Sequence, residues 1–406
     1  MKVLLFVHNF PPEFLGGTEQ VTLGLAKGLR ELGEEVVIVS GSDAFHPGGR
    51  CLVERFEGFH VHRVLRDPSE TYNLELDFPT AKVQIDRILE EEKPGAVHIH
   101  HWSTLGMGLV QKAKAKGIPS IISLHDLWTC CPRFFRTPRK GVRCPAGAER
   151  ENCVTCISPD LGDPDEVELG LAFDRRQARI RAELGEAQRV LVPSESLARR
   201  IRKHLPFDGP LEVLGHGLLQ DPRERSVPRE KNLRVGSFGN LVPSKGLDLL
   251  VDALSHNASE CELHLSGHCP DPEYMDQLRE RAKRHGLPLI WHGPFGMHDP
   301  HPALDLDLAV FPSLCEESYG LVVEEALARG VPVVVSGRGA LPERLNRGGG
   351  VVVRSGGVMP LRIVVSNLIR NRRDLEQLRA EIPSSFPTIL DAAKRCQLLY
   401  RAGEPV

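Results

Sequence analysis

The stretch "FPSLCEESYGLVVEEALARGVPVVVS", residues 311–336, decides how this chain is read. An apolar strand ends at "FPS". Gly320 then lets the backbone approach closely as a helix begins, and a second apolar strand, "VPVVVSG", follows. Glu317 lies in the loop, and Glu325, eight residues later, lies about a turn into the helix. A carboxylate there can accept hydrogen bonds from both hydroxyls of a diol, as on a ribose or a sugar. The free N–H groups at the helix start can take a phosphate between the two carboxylates. Read alone, the spacing equally fits a strand-turn-helix with solvated glutamates.

Strand and helix alternate outward from this unit. Behind it lie "LRVGSFGN", "GLDLLVDALS", "CELHLSG" and "DPEYMDQLRERAKRHG", read as strand, helix, strand and helix. The first half has the same rhythm. "KVLLFVHNF" is a continuous apolar run, as in a strand buried on both faces. "TEQVTLGLAKGLRELG" is a helix ending at Gly33, and "AKVQIDRILEEEKP" is one stopped by Pro94. "EVVIVSG", "FHVHRV", "AVHIHH", "SIISLH" and "RVLVPS" read as further strands. The expected fold is α/β, with two doubly wound, mainly parallel Rossmann-like domains facing a central cleft. The expected domains are 1–210, with a Cys-rich insertion at 130–156, and 232–383. Residues 211–231 would link them, and a C-terminal helix within 384–406 would pack back on the first.

Composition fits that plan. The chain has 406 residues, 41% hydrophobic and 26% charged, enough for two cores. A formal net charge of −3 gives no whole-protein attraction to nucleic acid. No run of about 20 apolar residues could span a bilayer. The apolar start stops at His8 with no small-residue cleavage site after it, so a cytoplasmic location is expected.

Three more loops stand at predicted strand ends. In "GSFGNLVPSKGLDLLVDAL", Lys245 sits beside a helix start, where a cation suits a diphosphate, although the P-loop order is absent. In "FPPEFLGGTE", Gly16-Gly17 opens a helix after the first strand. In "SLHDLW", His125 and Asp126 could meet a sugar hydroxyl or the reacting centre. "HIHHW" adds His98, His100 and His101 at another strand end. His98 and His100 share one face there, and His101 begins the loop.

Taken together, the four loops resemble retaining glycosyltransferases of the GT-B fold, family 4 (glycosyl transferases group 1). The resemblance rests on Gly16-Gly17, His125-Asp126, "GNLVPSKG" and "ESYGLVVEEA" in that order, and it covers nearly the whole chain. It implies transfer of a sugar from a nucleotide-diphosphate sugar to a glycan, lipid-linked or small-molecule acceptor. It implies that Glu325 holds the donor ribose and Glu317 the donor sugar. Lys245, the Gly16-Gly17 backbone and the amides of Gly320 and Leu321 would stabilise the diphosphate, with Asn240, Ser318 and Tyr319 in the same donor loops. His125 would face the transferred sugar, with Asp126, His100 and His101 on the acceptor side. No catalytic metal is implied.

The chain departs from the pattern at Asn240, where the family carries an arginine, and Arg338 or Arg344 is the expected substitute. The usual Asn-Gly of the linker is His216-Gly217 here. Asn240 also admits another reading, a catalytically silent nucleotide-sugar-binding protein.

Five of the ten cysteines fall between Cys130 and Cys156. Cys131, Cys144, Cys153 and Cys156 form C-x12-C-x8-C-x2-C, with Cys130 adjacent to the first. In a reducing compartment such a cluster suggests thiolate ligands, with structural zinc as the first expectation and an iron–sulfur cluster as the alternative. A metal- or redox-sensing module on this scaffold is the third functional reading. "HDLWTCCPR" looks like a cysteine-containing subgroup of the family. The basic stretches "FDRRQARIRAELGEAQR" and "LARRIRKHL" read as solvated surface, with contact to anionic lipid as the sharper alternative.

Overall fold

The computed structural model describes every residue except 135, 138–143, 145–149, 221, 223–225, 230–231, 297–298, 355–356 and 403–406. The chain forms two units. Met1–Arg139, Cys144–Leu219 and Pro387–Val406 make the first, and Gln220–Phe386 the second.

The first unit runs β1 (Lys2–Val7), α1 (Gly17–Glu31), β2 (Glu35–Phe45), β3 (Arg50–Phe56), β4 (Phe59–Arg66), α2 (Pro79–Glu92), β5 (Ala96–Ile99), α3 (Leu109–Ala115), β6 (Ser120–Ser123), α4 (Arg150–Ile157), α5 (Glu166–Glu186), β7 (Arg189–Val192), α6 (Glu195–His204) and β8 (Leu211–Val213). The second runs β9 (Leu233–Phe238), α7 (Leu247–Leu254), β10 (Cys261–Ser266), α8 (Pro272–Arg284), β11 (Leu289–Trp291), β12 (Leu308–Phe311), α9 (Leu321–Ala328), β13 (Val333–Ser336), β14 (Gly350–Val353), α10 (Val358–Arg370) and α11 (Arg372–Ala380). The last helix, α12 (Ile389–Arg401), belongs to the first unit.

The first sheet has the order β3-β4-β2-β1-β5-β6-β7-β8, and the second β11-β10-β9-β12-β13-β14. The second is parallel throughout. The first is parallel except for β3, which returns against β4 through the left-handed turn residues Glu57 and Gly58. In each sheet the strand order reverses beside the first strand, between β1 and β5 and between β9 and β12. Open α/β sheets leave their ligand crevice at that reversal, outside the carboxyl ends of the strands.

Local chemistry explains the elements. β1 is buried from Val3 to Val7, so it can only be apolar. At the start of α1 the Glu19 carboxylate accepts the Gly16 N–H at 2.9 Å, the half of a capping box that a glycine N-cap allows. Asp271 caps α8 through the N–H of Glu273. Four strands were not anticipated: β3 and the short β8, β11 and β14. Residues 211–213, read above as part of the linker, extend the first sheet through pairing with β7.

Helix α12 lies on α1, where a Cβ at Gly28 would come within 2.8 Å of the Ala393 Cβ. Gly28 therefore sets how closely the two helices approach. Gly28→Leu should destabilise this unit by about 1–3 kcal/mol through overpacking. A fall in its thermal midpoint measures that, and an unchanged midpoint would show that α12 can shift at no cost.

Candidate active site

In the second unit, the loops after β9 and β12 meet at the reversal of strand order. The N–H groups of Leu314 and Cys315 donate to the Ser244 carbonyl at 2.8 and 3.3 Å. Gly246 sits at φ +69°, and a Cβ there would stand 2.4 Å from the Pro312 carbonyl oxygen. Only glycine fits, and it brings Lys245 alongside Glu317.

Lys245 Nζ donates to Glu317 Oε1 at 2.6 Å, and Ser313 Oγ donates to the same oxygen at 2.6 Å. Burial disfavours charge on both groups. The ion pair overrides it, raising the Lys245 pKa and lowering that of Glu317. The pair is therefore charged throughout the neutral range. The adjacent carboxylate, Glu316, turns instead to the Gly339 N–H at 3.0 Å.

Gly320, at φ +91°, caps α9, and Leu321 begins the helix beyond it. A Cβ on Gly320 would meet Leu341 at 2.6 Å. Ser318 is half-buried in the same loop, and Asn240 is exposed after β9. Tyr319 is buried, and its hydroxyl donates to Glu324 Oε2 at 2.8 Å. Arg344 donates to Glu324 Oε1 at 3.0 Å and stacks 4.1 Å over the Tyr319 ring. That arginine, considered above as a substitute for the one missing at Asn240, is thus held by Glu324. Arg338 is half-buried and lines a small hollow with Ser313, Leu314 and Ser336. Glu325 Oε2 lies 3.5 Å from His301 Nε2. His301 Nδ1 accepts the Ala303 N–H at 3.2 Å, so the ring's proton faces Glu325.

In the first unit, histidines gather beyond β1, β5 and β6. His100 Nδ1 and His125 Nε2 share one hydrogen bond at 2.8 Å. Their rings stack, and His125 also stacks on His216 at 5.1 Å. His98 stacks on His100 but bonds Tyr400 Oη and Ser123 Oγ at 2.7 and 2.8 Å, which makes it part of the core. Burial lowers the pKa of His98 and of His125 to about 3, and those of His100 and His101 well below the ordinary value. All four rings are neutral at pH 7. His100 and His125 therefore share one proton across their bond. The buried Nδ1 of His125, with no protein partner, becomes an acceptor or a donor according to which ring holds it.

Beside them, His101 packs on His8 with ring centres 4.2 Å apart, and His101 Nε2 lies 4.0 Å from Asp126 Oδ2. His8 Nε2 lies 3.3 Å from Glu19 Oε1. Burial pushes both Asp126 and Glu19 up to about 7. A Cβ on Gly16 would meet Glu19 Oε2 at 2.8 Å, whereas Gly17 has open space around it.

Sequence reading did not single out His8, Glu19, Ser313, Glu324 or His301. Two left a signal: His8 ends the first strand, and Glu19 follows Gly16 at capping-box spacing. As they stand, no three His, Cys, Asp or Glu side chains among the described residues are grouped so as to hold a metal ion. That includes Cys131, Cys144, Cys153 and Cys156, so the expected ligand set is not assembled here. No helix among the described residues is long and apolar enough to cross a membrane.

Two family models match the chain: Glycosyltransferase Family 4 over residues 15–218 and Glycosyl transferases group 1 over 220–382. The chain belongs to this glycosyltransferase family. An uncharacterized glycosyltransferase of Methanocaldococcus jannaschii is 25% identical over 84% of this chain and 82% of its own. The MMP alpha-(1->4)-mannosyltransferase of Mycolicibacterium hassiacum is 25% identical over 89% and 88%. Among solved structures, Anabaena HepE in complex with UDP superposes with a TM-score of 0.64 at 18% identity, covering 99% of this chain and 95% of that one. The enzyme is therefore a glycosyltransferase with the GT-B architecture.

The buried titratable groups of its first unit fix a pH profile. Five histidines with lowered pKa, counting His8 at about 4, take up protons on unfolding below about pH 6.5. Their stabilisation is present above that pH and lost below it. Asp126 and Glu19 have raised pKa values, so their contribution is present below about 4 and lost as pH rises through about 7. The five histidines outweigh the two carboxyls, so stability should rise with pH from 5 to about 7, by about 1.4 kcal/mol per pH unit for each net proton, and level off above about 7.5. Denaturation midpoints between pH 5 and 8 read this directly, and a flat profile would mean that the rings are solvated.

Proposed function

We propose that the enzyme transfers a sugar from a nucleoside-diphosphate sugar to an acceptor hydroxyl with retention of anomeric configuration. The observation that carries this reading is the Lys245–Glu317 pair at the reversal of the second sheet, beside the start of α9. Such a place offers a fixed cation and free amide N–H groups to a diphosphate, and a carboxylate to the hydroxyls of the attached sugar. Glu325 takes the ribose hydroxyls, with the His301 ring 3.5 Å from its carboxylate. The neighbours' contents support the donor class: Anabaena HepE was crystallised with UDP and with UDP-glucose.

In the proposed reaction the acceptor oxygen attacks the anomeric carbon on the face the diphosphate leaves. Its proton passes to the departing phosphate oxygen, so no protein nucleophile takes part. Charge builds on the diphosphate, and Lys245, Gly16-Gly17 and the amides of Gly320 and Leu321 stabilise it. His125 is neutral, so it meets the transferred sugar as a hydrogen-bonding ring and not as a cation. Asp126, His100 and His101 stand on the acceptor side. Lipid-linked acceptors stay within the proposal because α6 exposes Arg199, Arg202 and Lys203 along one flank.

Titration calorimetry with UDP, GDP and ADP should find one tight ligand, and NMR of the product should show the donor's anomeric configuration. An inverted product would sink the retaining mechanism. Glu317→Gln should cut kcat while sparing nucleoside-diphosphate affinity, and Glu325→Ala should weaken that affinity about 10–100-fold. Asn240→Arg restores a cationic fork and should tighten nucleoside-diphosphate binding about tenfold. Looser binding in that variant would place Asn240 away from the phosphates.

A further inference from the structure

The turn that leads from Glu317 into α9 is closed by three side chains, Tyr319, Glu324 and Arg344. Gly320 is the N-cap of α9, so Tyr319 stands just before the cap and Glu324 at the fourth helical position. The Tyr319 hydroxyl donates to Glu324 Oε2 at 2.8 Å and so spans the first turn. Apolar residues at these two positions commonly pack together and fix the angle at which a chain enters its helix. Here a hydrogen bond takes their place. Arg344 completes the triangle. Its Nη1 donates to Glu324 Oε1 at 3.0 Å, and its Cζ lies 4.1 Å over the Tyr319 ring. Both oxygens of Glu324 are thus occupied, by two side chains that also stack on each other. Tyr319 and Glu324 are buried and the Arg344 side chain is 13% exposed, so solvent screens the ion pair little.

Arg344 comes from the helical turn Leu341–Leu345, and the segment around it backs the whole loop. The Gly339 N–H donates to Glu316 Oε2 at 3.0 Å, and the Ala340 N–H to the Glu317 carbonyl at 2.8 Å. A Cβ on Gly320 would come 2.6 Å from Leu341 Cδ2 and 3.9 Å from Arg344 Cγ. The arginine stem therefore lies against the cap itself. Its other charged neighbour is Glu343, whose Oε2 is 3.8 Å from Nη2, and its buried Nε has no protein partner among the described residues. Charge gives the triangle its consequence. A carboxylate in the first turn stabilises a helix. Glu324, however, sits about 4.5 Å along the axis from Leu321, whose amide is proposed to take a diphosphate. An unbalanced carboxylate there opposes a phosphate, and more strongly away from water.

We infer that Arg344 is a positioning residue for the donor, acting through Glu324 and Tyr319. It fixes the turn that aims the Gly320 and Leu321 amides, and it cancels the carboxylate charge beside them. It does both without touching the ligand. This role rests on the reading of the loop as the donor's diphosphate site.

Titration calorimetry with UDP, GDP and ADP, each against its own nucleoside, tests it on the full-length enzyme. For the diphosphate that the native enzyme binds, Tyr319→Phe keeps the ring and should weaken affinity about 2–10-fold. Arg344→Gln leaves Glu324 unbalanced and should weaken it about 10–100-fold. Adding Glu324→Gln to Arg344→Gln removes both charges and should recover most of that loss. Nucleoside affinity should hold in all three, because the contact proposed for Glu325 is untouched. An equal loss for nucleoside and diphosphate overturns the inference, and so does a double variant without recovery. If Arg344→Gln proves too unstable to titrate, Tyr319→Phe should still speed amide exchange at residues 320–325, and unchanged exchange there counts against the staple. A native enzyme that binds none of the three diphosphates defeats the donor reading itself, whereas native binding with Arg344→Gln at full affinity defeats this role alone.

Discussion

The second unit is organised around a lysine–glutamate ion pair that each partner needs. Burial alone would push Lys245 and Glu317 toward their neutral forms, and at 2.6 Å each keeps the other charged. The contact depends on backbone that only glycine permits. Gly246 lets the loop after β9 pass the Pro312 carbonyl, and Gly339 lets the next loop pass Glu317, whose carbonyl would stand 2.1 Å from a Cβ at that position. Sheet order brings β9 and β12 side by side, the glycines bring their loops together, and the ion pair is what the loops then present.

The histidine cluster of the first unit is polar with little charge. Its four histidines at 98, 100, 101 and 125 are buried and neutral, and Asp126 and Glu19 sit near the midpoint of their titration at pH 7. A site of this kind can bind hydroxyls through donors and acceptors whose roles exchange by moving one proton. It does not attract a phosphate strongly. The division of labour proposed for the two units, charge for the donor and neutral hydrogen bonding for the acceptor, has this electrostatic origin.

Arginine positions show how environment outweighs residue type. Arg344 is bound to Glu324 and stacked on Tyr319, so it braces the start of α9. Arg176, in a stretch that reads as solvated basic helix, is fully buried beneath Trp128 and Thr129.

The sequence by itself determined the two alternating α/β halves, because buried parallel strands must be continuously apolar and their helices must show a 3.6-residue period. It also singled out the loops proposed for the site, because Gly16-Gly17, Lys245-Gly246 and Glu317 through Glu325 all follow apolar runs that read as strands. Short strands such as β11 and β14 escaped it, since three or four apolar residues carry no periodicity. So did the partners: that Glu317 and not Glu316 meets Lys245, that Glu324 joins Tyr319 and Arg344, and that His98 belongs to the core beside Tyr400. These contacts link residues up to 302 positions apart. Spacing along a chain specifies a side chain's face within its own element, whereas its partner across the fold is set by sheet order and loop approach, which only the tertiary structure decides.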